Sequence, residues 1–361
     1  VTAVPGRPRR RAHRDTGRGV RVVALGGGHG LAASLSALRL VTDDLTAVVT
    51  VADNGGSSGR LRGELGVLPP GDLRMALTAL CEDSGWGRLW RDVLQHRFTG
   101  DGPLRGHAVG NLLIAALWEL LDDPVDGLDV VGELLGARGR VLPMSTLPLD
   151  IEADVLGLPG DPPDRLRTVA GQQQVATTPG RVCAVRLVPA RPPADPAAVA
   201  AVREADWVVL GPGSWFTSVL PHVLVPELAA ALAETPARRC VTLNLAPSTG
   251  ETSGYAAEQL LHVLAGYAPG TRLDAVIADP SAVDDVEALD RAAAGLGARL
   301  LLRQVSVGDG TPRHDPLRLA AAYGDVFSGA VADVSDPHPG RAALGRHAAG
   351  AGPVAGPAPG A

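Results

Sequence analysis

Arg21 to Arg62 reads RVVALGGGHGLAASLSALRLVTDDLTAVVTVADNGGSSGRLR. The apolar run Arg21 to Leu25 predicts a buried strand and residues 26–30 a glycine turn. Leu31 to Leu40 then reads as a helix and Thr46 to Ala52 as the next strand. A strand, a helix and a second strand at this spacing make a βαβ unit, with parallel strands and a right-handed crossover. Ligands then belong at the carboxyl ends of the strands. The second strand leads there to Asp53, then to Asn54, Gly55, Gly56, Ser57, Ser58 and Gly59, read as a loop of exposed amides and hydroxyls. Arg60 and Arg62 follow, and two guanidinium groups add bidentate charge for a phosphate. Glycine permits close backbone approach, and successive N–H groups form an anion-binding concavity. A Gly/Ser loop alone is equally an ordinary surface turn, so its neighbours decide its meaning.

The same alternation continues along the chain. Helical patterns cover Asp72 to Cys81, Arg88 to His96, Ala108 to Leu121 and Leu128 to Gly136, a helix-rich insertion over residues 71–136. Strands follow at Val182 to Val188, Trp207 to Leu210, Cys240 to Leu245, Ala275 to Ala278 and Arg299 to Gln304. Helices are expected near Pro196 to Glu204 and at Ser214 to Ala233, Tyr255 to Leu264, Val286 to Ala294 and Pro316 to Ala322. This predicts an α/β fold, a mostly parallel sheet with helices on both faces, as one domain over residues 20–329. Residues 1–19 carry six arginines and few apolar groups and read as a disordered arm; residues 330–361, rich in Ala, Gly and Pro, read as a disordered tail.

Composition narrows the chemistry. The net charge of -6 over 361 residues provides no general field for stable nucleic-acid binding. Three scattered cysteines, with no C-x-x-C pair, suit a reducing cytoplasm and exclude a zinc framework. No apolar stretch is long enough to span a bilayer, and no signal-peptide core precedes the first strand. All 33 basic residues are arginine. A P-loop lysine and a Schiff-base lysine are therefore impossible, and a phosphate must be held by backbone amides, arginine, histidine or a metal.

Four loops fall where the sheet would place a site. Gly26, Gly27, Gly28, His29 and Gly30 open the first helix, and GHGLAA from Gly28 satisfies G-x-G-x-x-A, with Asp53 where a dinucleotide fold keeps its ribose-binding acid. The segment from Asp53 is the second. The third is GPGSWFTS, where Gly211 and Gly213 shape the turn and Ser214 and Thr217 can cap a helix or bind an anion. The fourth, NLAPSTGETSGY, offers Asn244, Glu251 and Tyr255. Within the insertion, PPGDLR puts Asp72 at a helix start, where an N-cap is the competing reading. GHAVGN sets His107 and Asn111 four apart on one helical face, beside Arg97 and Arg105; His107 reads as a capping or core histidine, or as a group that moves a proton. No H-E-x-x-H spacing occurs, so no metal site is assigned, though Asp53 and Asp72 could share one magnesium through waters.

The ordered series LGGGHGL, VTVADNGGSSGRLR, LPPGDLRMAL, GHAVGNLLIAAL, VLP at Val141 to Pro143, LGPGSWFTSVLPHVLV and NLAPSTGETSGY resembles the YvcK family of gluconeogenesis factors, within the superfamily of the CofD 2-phospho-L-lactate transferases. The likeness runs from Arg21 to Tyr323. It implies a Rossmann-like fold, a bacterial cytoplasmic protein, binding of UDP-N-acetylglucosamine, UDP-glucose or a related nucleotide sugar, and a role in cell shape and wall synthesis on gluconeogenic carbon sources. For the transferase branch it implies a GDP-activated lactate and magnesium. Three positions depart from the family: Asn54 replaces a second acid, GHAVGN lacks the hydroxyl of GHSLGN, and Met75 stands where an Asn is usual. These weaken catalysis more than binding.

Three readings stay open. A regulatory protein would need no cofactor beyond its UDP-sugar; Gly27, Gly28, His29 and Gly30 with Gly211, Gly213 and Ser214 would cradle the diphosphate. Asp53 would bind a ribose or sugar hydroxyl, Arg60 or Arg62 would neutralise charge, and Asn244 and Tyr255 would face the base or sugar. A phospholactyl transferase would use Asp53 and Asp72 for magnesium and His107 as proton acceptor. A nicotinamide oxidoreductase fits GHGLAA but lacks the lysine of a Tyr-x-x-x-Lys pair. A homodimer through the helical region and a wall-synthesis protein are the expected partners.

Overall fold

β1 (Arg21–Gly26) and β2 (Asp44–Val49) are buried along almost their whole length, as strands covered on both faces must be. The computed structural model describes residues 19–245 and 250–329. The terminal arm and tail expected from composition, and Ala246 to Thr249 of the fourth loop, lie outside the described residues. The remaining strands are β3 (Arg140–Pro143), β4 (Asp150–Leu156), β5 (Arg167–Ala170), β6 (Arg181–Val188), β7 (Trp207–Leu210), β8 (Arg238–Thr242), β9 (Ala275–Ala278) and β10 (Arg299–Leu302). Seven of them form one sheet in the order β10-β9-β8-β7-β1-β2-β3, and every pairing in it is parallel.

That order has a single reversal. From β1 the chain builds outward through β2 and β3, then returns to lay β7 against the other side of β1 and continues through β8, β9 and β10. This is the doubly wound arrangement, and the crevice between the β1 and β7 loops is its topological switch point. The loops after β8, β7, β1 and β2 belong to four consecutive strands, so the four loops marked in the sequence form one row along one sheet edge.

Between β2 and β3 come helices Gly56–Leu65, Pro70–Leu80, Gly85–Gln95, Val109–Leu121 and Pro124–Leu135. The first corrects the expectation of an exposed loop: Gly56 to Leu65 is helical, and Ser57 and Ser58 are buried. Leu61 packs inward one turn after Ser57 and Ser58, and Gly66, at φ 69°, ends the helix in the left-handed region.

β6 departs from the parallel sheet. It forms a separate antiparallel sheet in the order β5-β4-β6, and β4 alternates buried and half-buried residues as a one-sided strand should. The long helix expected over Ser214 to Ala233 is also broken. A π turn covers Trp215–Val219, then short helices start at Pro221 and Pro226, because a proline supplies no backbone donor to the preceding turn. Among the described residues, no helix is long and apolar enough to cross a membrane.

Candidate functional site

At the switch point the GGGHG and GPGS loops touch backbone to backbone. A Cβ on Gly30 would overlap the Pro212 carbonyl, so only glycine allows the contact. Gly27 is equally confined: a Cβ there would strike the Thr50 hydroxyl and come within 2.6 Å of Asp72 Oδ2. Gly28 takes φ 57°, which glycine accepts without cost. Asn244 fixes the third loop by a two-way bond, accepting from Gly213 N–H and donating to Gly213 O, both at 2.8 Å. Its amide therefore shapes the loop as well as lining a cavity. His29 is exposed at the start of the first helix. Ser214 is partly buried and makes no side-chain cap.

Thr50 donates to Asp72 Oδ2 at 3.1 Å. Burial, then the charge of Asp53, pushes the Asp72 carboxyl up to about 6, against the pull of Thr50, the Gly28 N–H and Arg74. Asp53 itself accepts the Gly55 N–H at 2.9 Å. Both acids line a cavity of about 270 Å³ together with Ser57, Ser58, Arg74, Met75, Arg97, Asn111 and Gln173.

A hydrogen-bond chain runs from the lining of this cavity to His107 behind it. Arg74 Nε donates to Asn111 Oδ1 at 2.9 Å, so Asn111 presents its amide nitrogen to Ser57 Oγ, 3.1 Å away. Ser57 Oγ lies 2.9 Å from His107 Nδ1. Burial, with a smaller contribution from Arg60, holds the His107 imidazole below its ordinary value. At neutral pH it is an uncharged ring able to accept a proton. The structure thus joins GGSSG, PPGDLR and GHAVGN, which lie far apart in sequence.

Several expected site residues have other partners. Arg62 makes a bidentate pair with Asp150 at 3.0 and 2.7 Å and also donates to Leu149 O; Arg60 donates to Pro103 O. Arg74 and Arg97 line the cavity in their place. Asn54 accepts the Gln173 N–H and donates to Gln174 Oε1, docking helix Gln172–Ala176 against the site. Both ends of the Asn54 amide are engaged in this clasp. Glu251 and Thr217 are fully buried rather than facing ligand space. Glu251 accepts the Phe216 N–H at 3.1 Å, and burial pushes its carboxyl up to about 7.

A second cavity, of about 200 Å³, lies beyond β8 and is lined by Asn244, Tyr255, Ser281 and Asp284. The Tyr255 ring forms a wall of it, but its hydroxyl donates to Val182 O of β6. Arg74, Gln172 and Gln173 line the first cavity without having been marked as candidates in the sequence, and Thr50 holds Asp72 from outside that lining. An arginine two residues after Asp72 on an otherwise apolar helix is a signal for Arg74, whereas nothing local marks Gln173.

A family model described as 2-phospho-L-lactate transferase CofD matches residues 22–298. A Mycobacterium tuberculosis (strain H37Rv) protein named "Putative gluconeogenesis factor" is 57% identical over 308 residues, covering 84% of this chain and 90% of that protein. The "Gluconeogenesis factor" of Listeria monocytogenes is 34% identical over 313 residues, covering 84% and 94% respectively. The crystal structure of a UPF0052-family protein from Bacillus halodurans has TM-score 0.75 at 30% identity, covering 85% of this chain and 99% of that one.

Proposed function

The chain belongs to the CofD family and, within it, to the gluconeogenesis factors, and from that premise we propose that it binds a nucleotide sugar, UDP-N-acetylglucosamine or UDP-glucose, as a cytoplasmic regulator. The bound state would be read by a wall-synthesis partner and would serve cell shape during growth on gluconeogenic carbon sources. The row of loops on β8, β7, β1 and β2, with a cavity at each end, carries the reading. Three inter-strand steps separate β8 from β2, about 14 Å at the usual sheet spacing, which suits an extended nucleotide sugar. The base and ribose would occupy the cavity at Asn244 and Tyr255. The diphosphate would lie on the glycine loops at the switch point, where the start of the first helix, Gly28–Leu38, would supply backbone donors. The sugar would reach the cavity at Asp53 and Asp72.

A phospholactyl transferase is the second reading, favoured by two carboxylates facing one cavity. Asp53 and Asp72 suit a magnesium ion completed by waters and phosphate oxygens; Asn54 adds no ligand because its amide is spent on Gln173 and Gln174. When bound, the ion would neutralise phosphate charge, while the Ser57–His107 pair would take a proton from an attacking hydroxyl.

Thermal unfolding of the full chain separates the two. A nucleotide sugar at a hundredfold excess over its Kd stabilises the native state by about 2.7 kcal/mol. The melting temperature should rise by several degrees with UDP-N-acetylglucosamine and stay put with NAD. A rise seen only with GDP and magnesium transfers the assignment to the transferase.

A further inference from the structure

The cavity proposed for the sugar is lined by both signs of charge, the carboxylates of Asp53 and Asp72 and the guanidinium groups of Arg74 and Arg97. Asp72 is held by Thr50 beside Gly27 of the switch-point loop. Arg74, two residues on, reaches helix Val109–Leu121, where its Nε donates to Asn111. There a Cβ on Gly110 would sit 2.7 Å from Arg74 Cδ, so a glycine makes room for the side chain. Arg74 is only 5% exposed. Its Nε is spent on Asn111, and neither Nη group hydrogen-bonds any described residue. Arg97 lines the same cavity and uses one Nη on Gly106 O. Two guanidinium groups therefore line the cavity beside two carboxylates, and the Nη edge of Arg74, paired with no described residue, is left to take an anion.

Resting on the nucleotide-sugar reading, we infer that this cavity also takes, and prefers over a neutral hexose, a sugar bearing a carboxylate, bound by Arg74 and Arg97, while its hydroxyls donate to Asp53 and Asp72. The planar Nη edge of Arg74 matches a carboxylate in a bidentate pair. A single negative charge suits the cavity better than the two of a phosphate monoester, because Asp53 and Asp72 share the space. This gives Arg74 and Arg97 a specificity role distinct from the diphosphate cradle on the glycine loops. It also explains why arginine is placed at a wall that a neutral hexose would leave unpaired.

The test is a matched pair of ligands, UDP-glucuronate and UDP-glucose, which differ only in a carboxylate for a hydroxymethyl group, with UDP as the reference. Calorimetric titration of the full chain should show UDP-glucuronate binding about tenfold more tightly than UDP-glucose, as a charge-assisted bidentate contact implies. Arg97→Gln, at an exposed position that does not threaten folding, should cut that preference to within about threefold, as should Arg74→Gln where it folds. Equal or tighter binding of UDP-glucose by the native chain overturns the inference and leaves the nucleotide-sugar reading standing. An undiminished preference in folded Arg97→Gln and Arg74→Gln removes the two arginines from the site and also overturns it. Failure of all three ligands to bind rejects both readings together.

Discussion

Glu251 shows how one side chain reports on the loops around it. It lies under the π turn with the N–H groups of Phe216, Trp215 and Thr217 and the Thr217 hydroxyl facing it, yet burial outweighs them and lifts the carboxyl from 4.5 to about 7. The folded protein holds this proton more tightly than the unfolded chain. Its stabilising contribution is complete below about pH 4.5 and fades as pH rises through 7. Glu251→Gln should flatten that slope and raise the melting temperature at pH 8, with a free-energy difference of up to about 3 kcal/mol from a shift of this size. Equal pH slopes in native and variant melts would contradict it. At this scale the sequence was a partial guide. GGSSG, PPGDLR and GHAVGN could each be marked from residue type, but which arginines face the cavity depends on Asp150 and Asn111, which capture Arg62 and Arg74 from distant elements.

Elements were legible where a pattern was local. β1, β7 and β9 follow from short apolar runs, and the insertion helices from their periodicity. The helix Gly56–Leu65 was obscured because glycine and serine at its start resemble a loop, and its burial comes from docking on Pro70–Leu80 and Val109–Leu121 rather than from its own apolar content. β4 alternates cleanly, but its partners β5 and β6 are joined to it by long connections that sequence spacing does not define. The junction between the first helix and the GPGS loop is an element-scale constraint open to test. Gly30→Ala places a methyl group against the Pro212 carbonyl, and since backbone cannot swing aside as a side chain can, the two loops must part. We expect a loss of about 1–3 kcal/mol, typical of overpacking, and at least a tenfold weaker titration of UDP-N-acetylglucosamine. Unchanged affinity in a folded Gly30→Ala protein would show that the diphosphate does not rest on this junction.

Across the whole molecule, the three-stranded sheet is fastened to the parallel sheet by contacts that also border the ligand row. Arg62 ties helix Gly56–Leu65 to the start of β4, and Asn54 holds the helix after β5. On the other side, Tyr255 donates to Val182 O, rests its ring on Phe216 at 5.6 Å between centroids and lies beneath Arg181, while Tyr267 accepts the Val185 N–H. Tyr255 thus has two separable parts: a ring that walls the outer cavity, and a hydroxyl that clasps β6. Tyr255→Phe keeps the first and removes the second. It should cost about 1 kcal/mol, the usual net worth of such a bond, and speed amide exchange along β6 while changing UDP-N-acetylglucosamine affinity less than threefold. Tyr255→Ala opens the cavity wall as well and should abolish the ligand-induced rise in melting temperature. If the hydroxyl instead contacts the ligand, Tyr255→Phe will lose affinity as severely as Tyr255→Ala while β6 exchange stays at the native rate. Paired exchange and titration measurements on the two variants thereby separate a clasp between the sheets from a direct ligand contact.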